Sequence, residues 1–198
     1  MTVAIVDYGM GNRRSVEKAL AHVGADAVIT GDHALIRAAE RIVIPGVGAF
    51  PAAMERLDAL GLTELLRERA QAGTPLLGIC LGMQLLFERS TEHDGAPGLG
   101  LLPGDVGYLE TGGARLPHIG WNLVRRDRPS RLLDGDAAFY HVHSLACRPA
   151  DEDVVVGTAE YGERFASVVE RANVFGAQFH PEKSSRDGLA LLANFVRA

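Results

Sequence analysis

A cysteine set between two glycines is the most reactive-looking group in this chain. Cys80 stands in Gly78-Ile79-Cys80-Leu81-Gly82, after the apolar run Leu76-Leu77-Gly78-Ile79 and before Leu81-Gly82-Met83-Gln84-Leu85-Leu86-Phe87. That G-x-nucleophile-x-G spacing is the one used by a nucleophile elbow, in which a sharp strand-to-helix turn holds one side chain out at the carboxyl edge of a sheet. Side chains in place of the glycines would collide with so crowded a turn. The pattern predicts a buried strand up to Ile79 and a helix from Leu81 to Phe87. Free N–H groups at the start of a helix favour thiolate over thiol, which suits a nucleophile. A cysteine can also serve as a small buried hydrophobe, but that use does not require glycine on both sides.

Activation needs a base and something to orient it. Near the other end of the chain, Gln178-Phe179-His180-Pro181-Glu182 follows the apolar run Val174 to Phe179. Pro181 favours an extended conformation at His180, and side chains two positions apart in an extended segment project to one side. Glu182 can therefore orient the His180 imidazole while its other nitrogen faces a sulfur. Alone, a strand-terminal histidine is more often a solvated bystander. Negative charge on a tetrahedral intermediate also needs donors. The N–H of Leu81 is one, and an N–H from Pro45-Gly46-Val47-Gly48, at Gly46 or Val47, is the second. Read neutrally, that loop is only a tight turn.

These groups require a scaffold that brings distant strand ends together. With 198 residues, 47% hydrophobic and 23% charged, the chain fits one domain over residues 1–198. Thr2 to Asp7, Ala27 to Thr30, Arg41 to Ile44 and the Leu76 run read as strands, with helices after Asn12, near Ala34 to Ala39, and from Phe50 to Gln71 with a break at Gly61. Asn12 is a plausible N-cap. Strands alternating with helices imply an α/β fold, an open mostly parallel sheet flanked by helices, whose ligands collect at the carboxyl strand ends.

After Ser90 the pattern changes. Gly95, Pro97, Gly98, Gly100, Pro103 and Gly104 mark a long loop. Short strands follow at Val106 to Leu109, Trp121 to Val124, Ala137 to Val142, Val154 to Ala159 and Phe165 to Arg171, an additional and more antiparallel sheet region. Val174 to Phe179 is a last strand and Gly188 to Val196 a closing helix.

A formal net charge of −5, a pI near 5.8 and no basic cluster beyond Arg125-Arg126-Asp127-Arg128 argue against nucleic acid as the partner. That arginine run reads as a solvated loop. Two cysteines, with no apolar leader or long apolar span, fit a cytoplasmic protein away from membranes. No phosphate-loop pattern occurs, and His22, His33, His93 and Cys147 lack ligand spacing, so neither cofactor nor metal is expected.

Taken together, Gly78-Ile79-Cys80-Leu81-Gly82-Met83-Gln84, Pro45-Gly46-Val47-Gly48 and Phe179-His180-Pro181-Glu182 resemble the class I glutamine amidotransferases. The resemblance implies that Cys80 attacks the side-chain amide of glutamine, His180 passes a proton to departing ammonia, and water releases glutamate. Asp7-Tyr8-Gly9-Met10-Gly11-Asn12, Pro117-His118-Ile119-Gly120-Trp121-Asn122, Phe139-Tyr140-His141-Val142-His143-Ser144 and Gly176 to Ser184 extend the likeness to the branch whose members are glutaminase subunits of imidazole glycerol phosphate synthases.

By that likeness Gly48, Gln84, Val142, Ser144 and Leu145 would hold glutamine. Asn12, Trp121, Asn122, Tyr140 and Lys183 would face a (β/α)8 cyclase subunit in a heterodimer, serving histidine biosynthesis. Two departures touch local detail: Arg13 stands where an apolar residue is common, and Leu145-Ala146 where an aromatic is usual. Without the surrounding motifs, Trp121 would read as core packing and Tyr140 as an ordinary strand tyrosine. Independently of family, ammonia in neutral water is mostly protonated, so a biosynthetic glutaminase should deliver it along a protected path to a partner. The competing readings are a glutaminase subunit of another amidotransferase and a non-catalytic binding module that keeps the scaffold.

Overall fold

Apolar runs that would aggregate if exposed are here laid side by side. The computed structural model describes residues 1–198 and places Thr2–Val6 (β1), Asp26–Thr30 (β2), Arg41–Gly46 (β3) and Leu76–Cys80 (β4) in the parallel order β2-β1-β3-β4. Every residue of β3 and β4 is buried, as expected for strands covered on both faces. The covering helices are Arg13–His22 (α1), His33–Ala38 (α2), Phe50–Ala59 (α3) and Leu62–Gln71 (α4). The break at Gly61 is real: its φ of +65° is left-handed, which glycine tolerates without strain. Asn12 occupies the N-cap position of α1, but its side chain makes no capping bond.

The stretch after Cys80 departs from expectation. A helix was expected from Leu81 to Phe87, but Leu81–Gln84 (α5) is one turn, and Phe87–Ser90 (β5) is a strand. The cause is competition for carbonyls. Those of Leu85, Leu86, Phe87 and Glu88 accept N–H groups from residues 98–102 instead of from the next helical turn. The same contacts organise the expected long loop, which contains Ala96–Pro97 (β6) and runs into Leu102–Tyr108 (β7), a strand that starts four residues before Val106.

The second half is more antiparallel, as expected, although β7 runs parallel to β5; its strands are longer and one is additional. His118–Arg126 (β8), Ala137–His143 (β9), Leu145–Pro149 (β10), Val155–Tyr161 (β11) and Glu163–Arg171 (β12) lead to Val174–Ala177 (β13), which pairs parallel with β4. Nothing in the sequence separated β10 from β9, because only Ser144 divides them. Arg125 and Arg126 end β8 rather than lying in a loop. The last helix, Ser185–Arg197 (α6), starts three residues before Gly188. Hydrogen bonding is continuous from β2 through β1, β3, β4 and β13 to β12, β10, β7, β5 and β6, with β11, β8 and β9 branching from β12. No helix is long and apolar enough to cross a membrane.

Candidate active site

The elbow is built from close approaches that only glycine permits. Cys80 itself holds φ 55° and ψ −113°, a backbone state that is costly for a residue with a side chain and that persists only where packing enforces it. A Cβ on Gly82 would lie 1.8 Å from the Ile44 carbonyl oxygen, and one on Gly78 would lie 2.4 Å from that of Gly82. The turn can therefore nest against β3. Cys80 is 6% exposed, and its Sγ donates to the Val142 carbonyl at 3.7 Å.

His180 lies three residues beyond the end of β13, where its N–H donates to the Tyr140 carbonyl at 3.0 Å. Its Nδ1 sits 2.9 Å from Glu182 Oε1, with the two side chains 4% and 1% exposed. An extended segment was expected to align them. Instead Pro181–Lys183 is a single 3-10 turn, and that turn brings Glu182 back under the imidazole. Ser184 Oγ fastens the turn, donating to the His180 carbonyl at 2.7 Å and accepting from Tyr140 N–H at 2.9 Å. Burial alone would push the imidazole pKa down. Hydrogen bonds to Cys80 and Glu182, and the charges of both, outweigh burial and raise it to about 9. Glu182 Oε2 is buried with no protein partner, so its charge is compensated through Oε1.

The Pro45–Gly48 loop runs directly beside the elbow, with Gly46 in register with Cys80. A Cβ on Gly46 would meet Leu81 Cβ at 2.8 Å and Gly82 N at 2.9 Å. Val47 is 44% exposed, and Gly48 has φ +106°. Two residues not singled out from the sequence fix this loop. Tyr8 is buried and donates to the Pro45 carbonyl at 2.7 Å, its phenol pKa pushed up by burial and then by Cys80. Glu92 accepts the Phe50 N–H at 2.6 Å, supplying the cap that Ala49 cannot give α3. Tyr8 had a signal, since it follows a buried strand within a glycine loop. Glu92 had none.

Gln84 is buried, and its Nε2 donates to the Leu145 carbonyl at 3.3 Å and to Gln178 Oε1 at 3.1 Å. Gln178 Nε2 in turn reaches Cys80 Sγ at 3.9 Å. Gln178 lies one residue past the end of β13 and two before His180, and its sequence position alone does not single it out. Leu145 is buried while Val142 and Ser144 are half-buried, so Gln84, Gln178 and the 142–145 backbone form one wall beside the sulfur.

The residues expected at a partner surface divide. Trp121 is 56% exposed, with its ring 6.1 Å from that of Tyr140, and Lys183 is exposed. Asn12 begins α1, which packs against the Pro181–Lys183 turn. Asn122 points to the opposite side of β8 from Trp121, where its amide bonds to Glu160 and His118. A thiol, an imidazole and a carboxylate in sequence, at a sheet edge beside a glycine-rich loop, can activate sulfur for attack on an acyl carbon.

The chain is similar to known proteins over almost its whole length. The profile of the family described as "Glutamine amidotransferase class-I" matches residues 4–198. The imidazole glycerol phosphate synthase subunit HisH of Moorella thermoacetica is 52% identical over 196 residues, covering 98% of this chain and 93% of that protein. The subunit of the same name from Aquifex aeolicus is 48% identical over 201 residues, covering 100% and 97%. A crystal structure of a glutamine amidotransferase, 21% identical, superposes with a TM-score of 0.79 over 98% of this chain and 97% of its own, which shows a shared fold.

Proposed function

The chain belongs to the class I glutamine amidotransferases, and on that premise we propose that Cys80, His180 and Glu182 hydrolyse the side-chain amide of glutamine and that the ammonia passes to a cyclase subunit. It is a glutaminase of the imidazole glycerol phosphate synthase type, as its relatives at 48–52% identity over nearly the whole chain are. The observation that carries the catalytic reading is the position of His180 between Cys80 and Glu182, with its imidazole held protonated to about pH 9.

In the first half-reaction the Cys80 proton rests on His180, so sulfur attacks as thiolate: Sγ bonds to the amide carbon of glutamine, and the carbonyl electrons move onto oxygen. The Leu81 N–H and one from Gly46 or Val47 receive that charge. His180 gives its proton to nitrogen as the C–N bond breaks, leaving ammonia and a glutamyl thioester. Water then gives a proton back to His180 and its oxygen to the acyl carbon, releasing glutamate and restoring the sulfur. Glu182 keeps the imidazole oriented through both steps. Gly48, Gln84, Val142, Ser144 and Leu145 hold the amino-acid end of the substrate.

The partner is a (β/α)8 cyclase that uses the ammonia to form imidazole glycerol phosphate and an aminoimidazole carboxamide ribotide in histidine biosynthesis, in a heterodimer with this single cytoplasmic domain. Support for the docking face comes from Ile119, Trp121 and Leu123, three large apolar side chains 59%, 56% and 46% exposed along one side of β8. Asn12, Tyr140 and Lys183 complete that proposed interface, while Asn122, turned to the other side of β8 and bonded to Glu160 and His118, lies off it. The test is Cys80→Ala in the assembled complex. Synthesis from glutamine should vanish while synthesis from added ammonium salts persists, and loss of both in a well-folded complex would contradict the division of labour.

A further inference from the structure

Three histidines that the proposed chemistry does not use, His118, His141 and His143, are buried together behind the substrate wall. The antiparallel register sets His118 opposite His143, and His118 shares its side of β8 with Asn122. His143 Nδ1 lies 2.8 Å from the Leu145 carbonyl, His118 Nδ1 lies 3.1 Å from His143 Nε2, and Asn122 Nδ2 lies 3.3 Å from His118 Nε2.

The proton on every link follows from the two ends. A carbonyl oxygen only accepts, so His143 carries its proton on Nδ1. Burial pushes the His143 pKa to about 4 and that of His118 below its ordinary value, so near neutral pH both rings are neutral with one donor and one acceptor each. His143 Nε2 is therefore an acceptor, and His118 must donate to it from Nδ1. That leaves His118 Nε2 to accept from Asn122. The orientation of the Asn122 amide is set independently, because the same Nδ2 donates to the Glu160 carbonyl at 2.9 Å. No link has two donors or two acceptors facing each other.

We propose that His118 and His143 are positioning residues for glutamine hydrolysis, forming a one-way hydrogen-bond relay from Asn122 to the Leu145 carbonyl that fixes the backbone on which Gln84 rests. The Leu145 carbonyl takes both the His143 N–H and the Gln84 amide. Gln84 orients Gln178, and Gln178 donates to Cys80 Sγ. A ring reversed at either histidine would set lone pair against lone pair and release the Leu145 peptide. The relay acts on glutamine placement, not on the bond-breaking step, and it rests on the function proposed above.

The test has two parts. Side-chain nitrogen NMR of the full chain near neutral pH should show both His118 and His143 with the proton on Nδ1, the minor tautomer of free histidine in water. In the complex with its cyclase, His143→Phe, which deletes the donor, should lower kcat/KM for glutamine about tenfold, mainly through KM. His143→Asn, whose amide nitrogen can stand where Nδ1 stood, should stay within about threefold of the unaltered chain. A proton on Nε2 of either ring, an unimpaired His143→Phe, or a His143→Asn as impaired as His143→Phe would each overturn the relay. If His143→Phe does not fold, the tautomers and His143→Asn decide. A complex with no glutaminase activity at all would sink the proposed function instead, while the tautomers still decide whether the relay exists.

Discussion

His180 and His143 are both buried beside the same reaction centre, with a side chain 4% exposed in one case and a residue 5% exposed in the other, yet their imidazoles have opposite acid–base character. His180 faces a carboxylate and the Cys80 sulfur, whose hydrogen bonds and charges outweigh burial and raise it to about 9. His143 faces a backbone carbonyl and another neutral ring, so desolvation dominates and its pKa falls to about 4. Burial is common to both and cannot explain the difference; the neighbours do. The first environment keeps a proton ready for a leaving group, and the second holds a tautomer still.

Removing the carboxylate should make the first site resemble the second. Glu182→Gln is expected to lower the His180 pKa from about 9 and to cut glutaminase kcat by about 10⁴-fold, the loss seen when the orienting carboxylate of a Ser-His-Asp triad is replaced by its amide. An NMR titration of His180 with steady-state glutaminase kinetics checks both, and an unchanged pKa would show that Cys80 alone holds the charge.

The two sites should also bend the stability curve in opposite directions. His143 is depressed in the folded chain relative to about 6.5 when unfolded, so its contribution is full above about pH 6.5 and is lost as pH falls through about 4, a swing on the order of 3 kcal/mol. His180 is raised, so its contribution is full below about pH 6.5 and is lost as pH rises through about 9. Urea unfolding across that range should show maximal stability between the two limbs. In Glu182→Gln only the alkaline limb should flatten.

The smallest expected effect isolates the structural site. Ser167 Oγ lies 3.0 Å from His141 Nε2, while His141 Nδ1 is tied to the Phe139 carbonyl. Ser167→Ala should cost about 1–2 kcal/mol of stability, the penalty for one unpaired buried acceptor, and leave glutaminase kinetics unchanged. Thermal unfolding and kinetics on the same preparation separate these outcomes.

What could be read from the sequence follows the same division. Cys80, Gly78 and Gly82 announce themselves because the elbow cannot be built without them, and His180 and Glu182 lie close enough along the chain for local geometry to pair them. The parallel strands were legible because each is a separate apolar run between helices. The one-turn α5 was not, since its end is decided by residues 98–102, and β10 was hidden by the lack of a turn between it and β9. Gln178, Glu92 and the histidine relay depend on which distant groups the fold brings beside them, which no spacing within one segment encodes.

Cys80 is expected to carry the glutamyl group during turnover. Rapid quenching of the working complex in acid after mixing with glutamine, followed by peptide mass spectrometry, should find a glutamyl thioester on Cys80 and none on Cys147, which is buried and whose thiol pKa is pushed up, first by burial. An adduct on Cys147, or glutamine turnover that persists with Cys80 replaced by alanine, would contradict it.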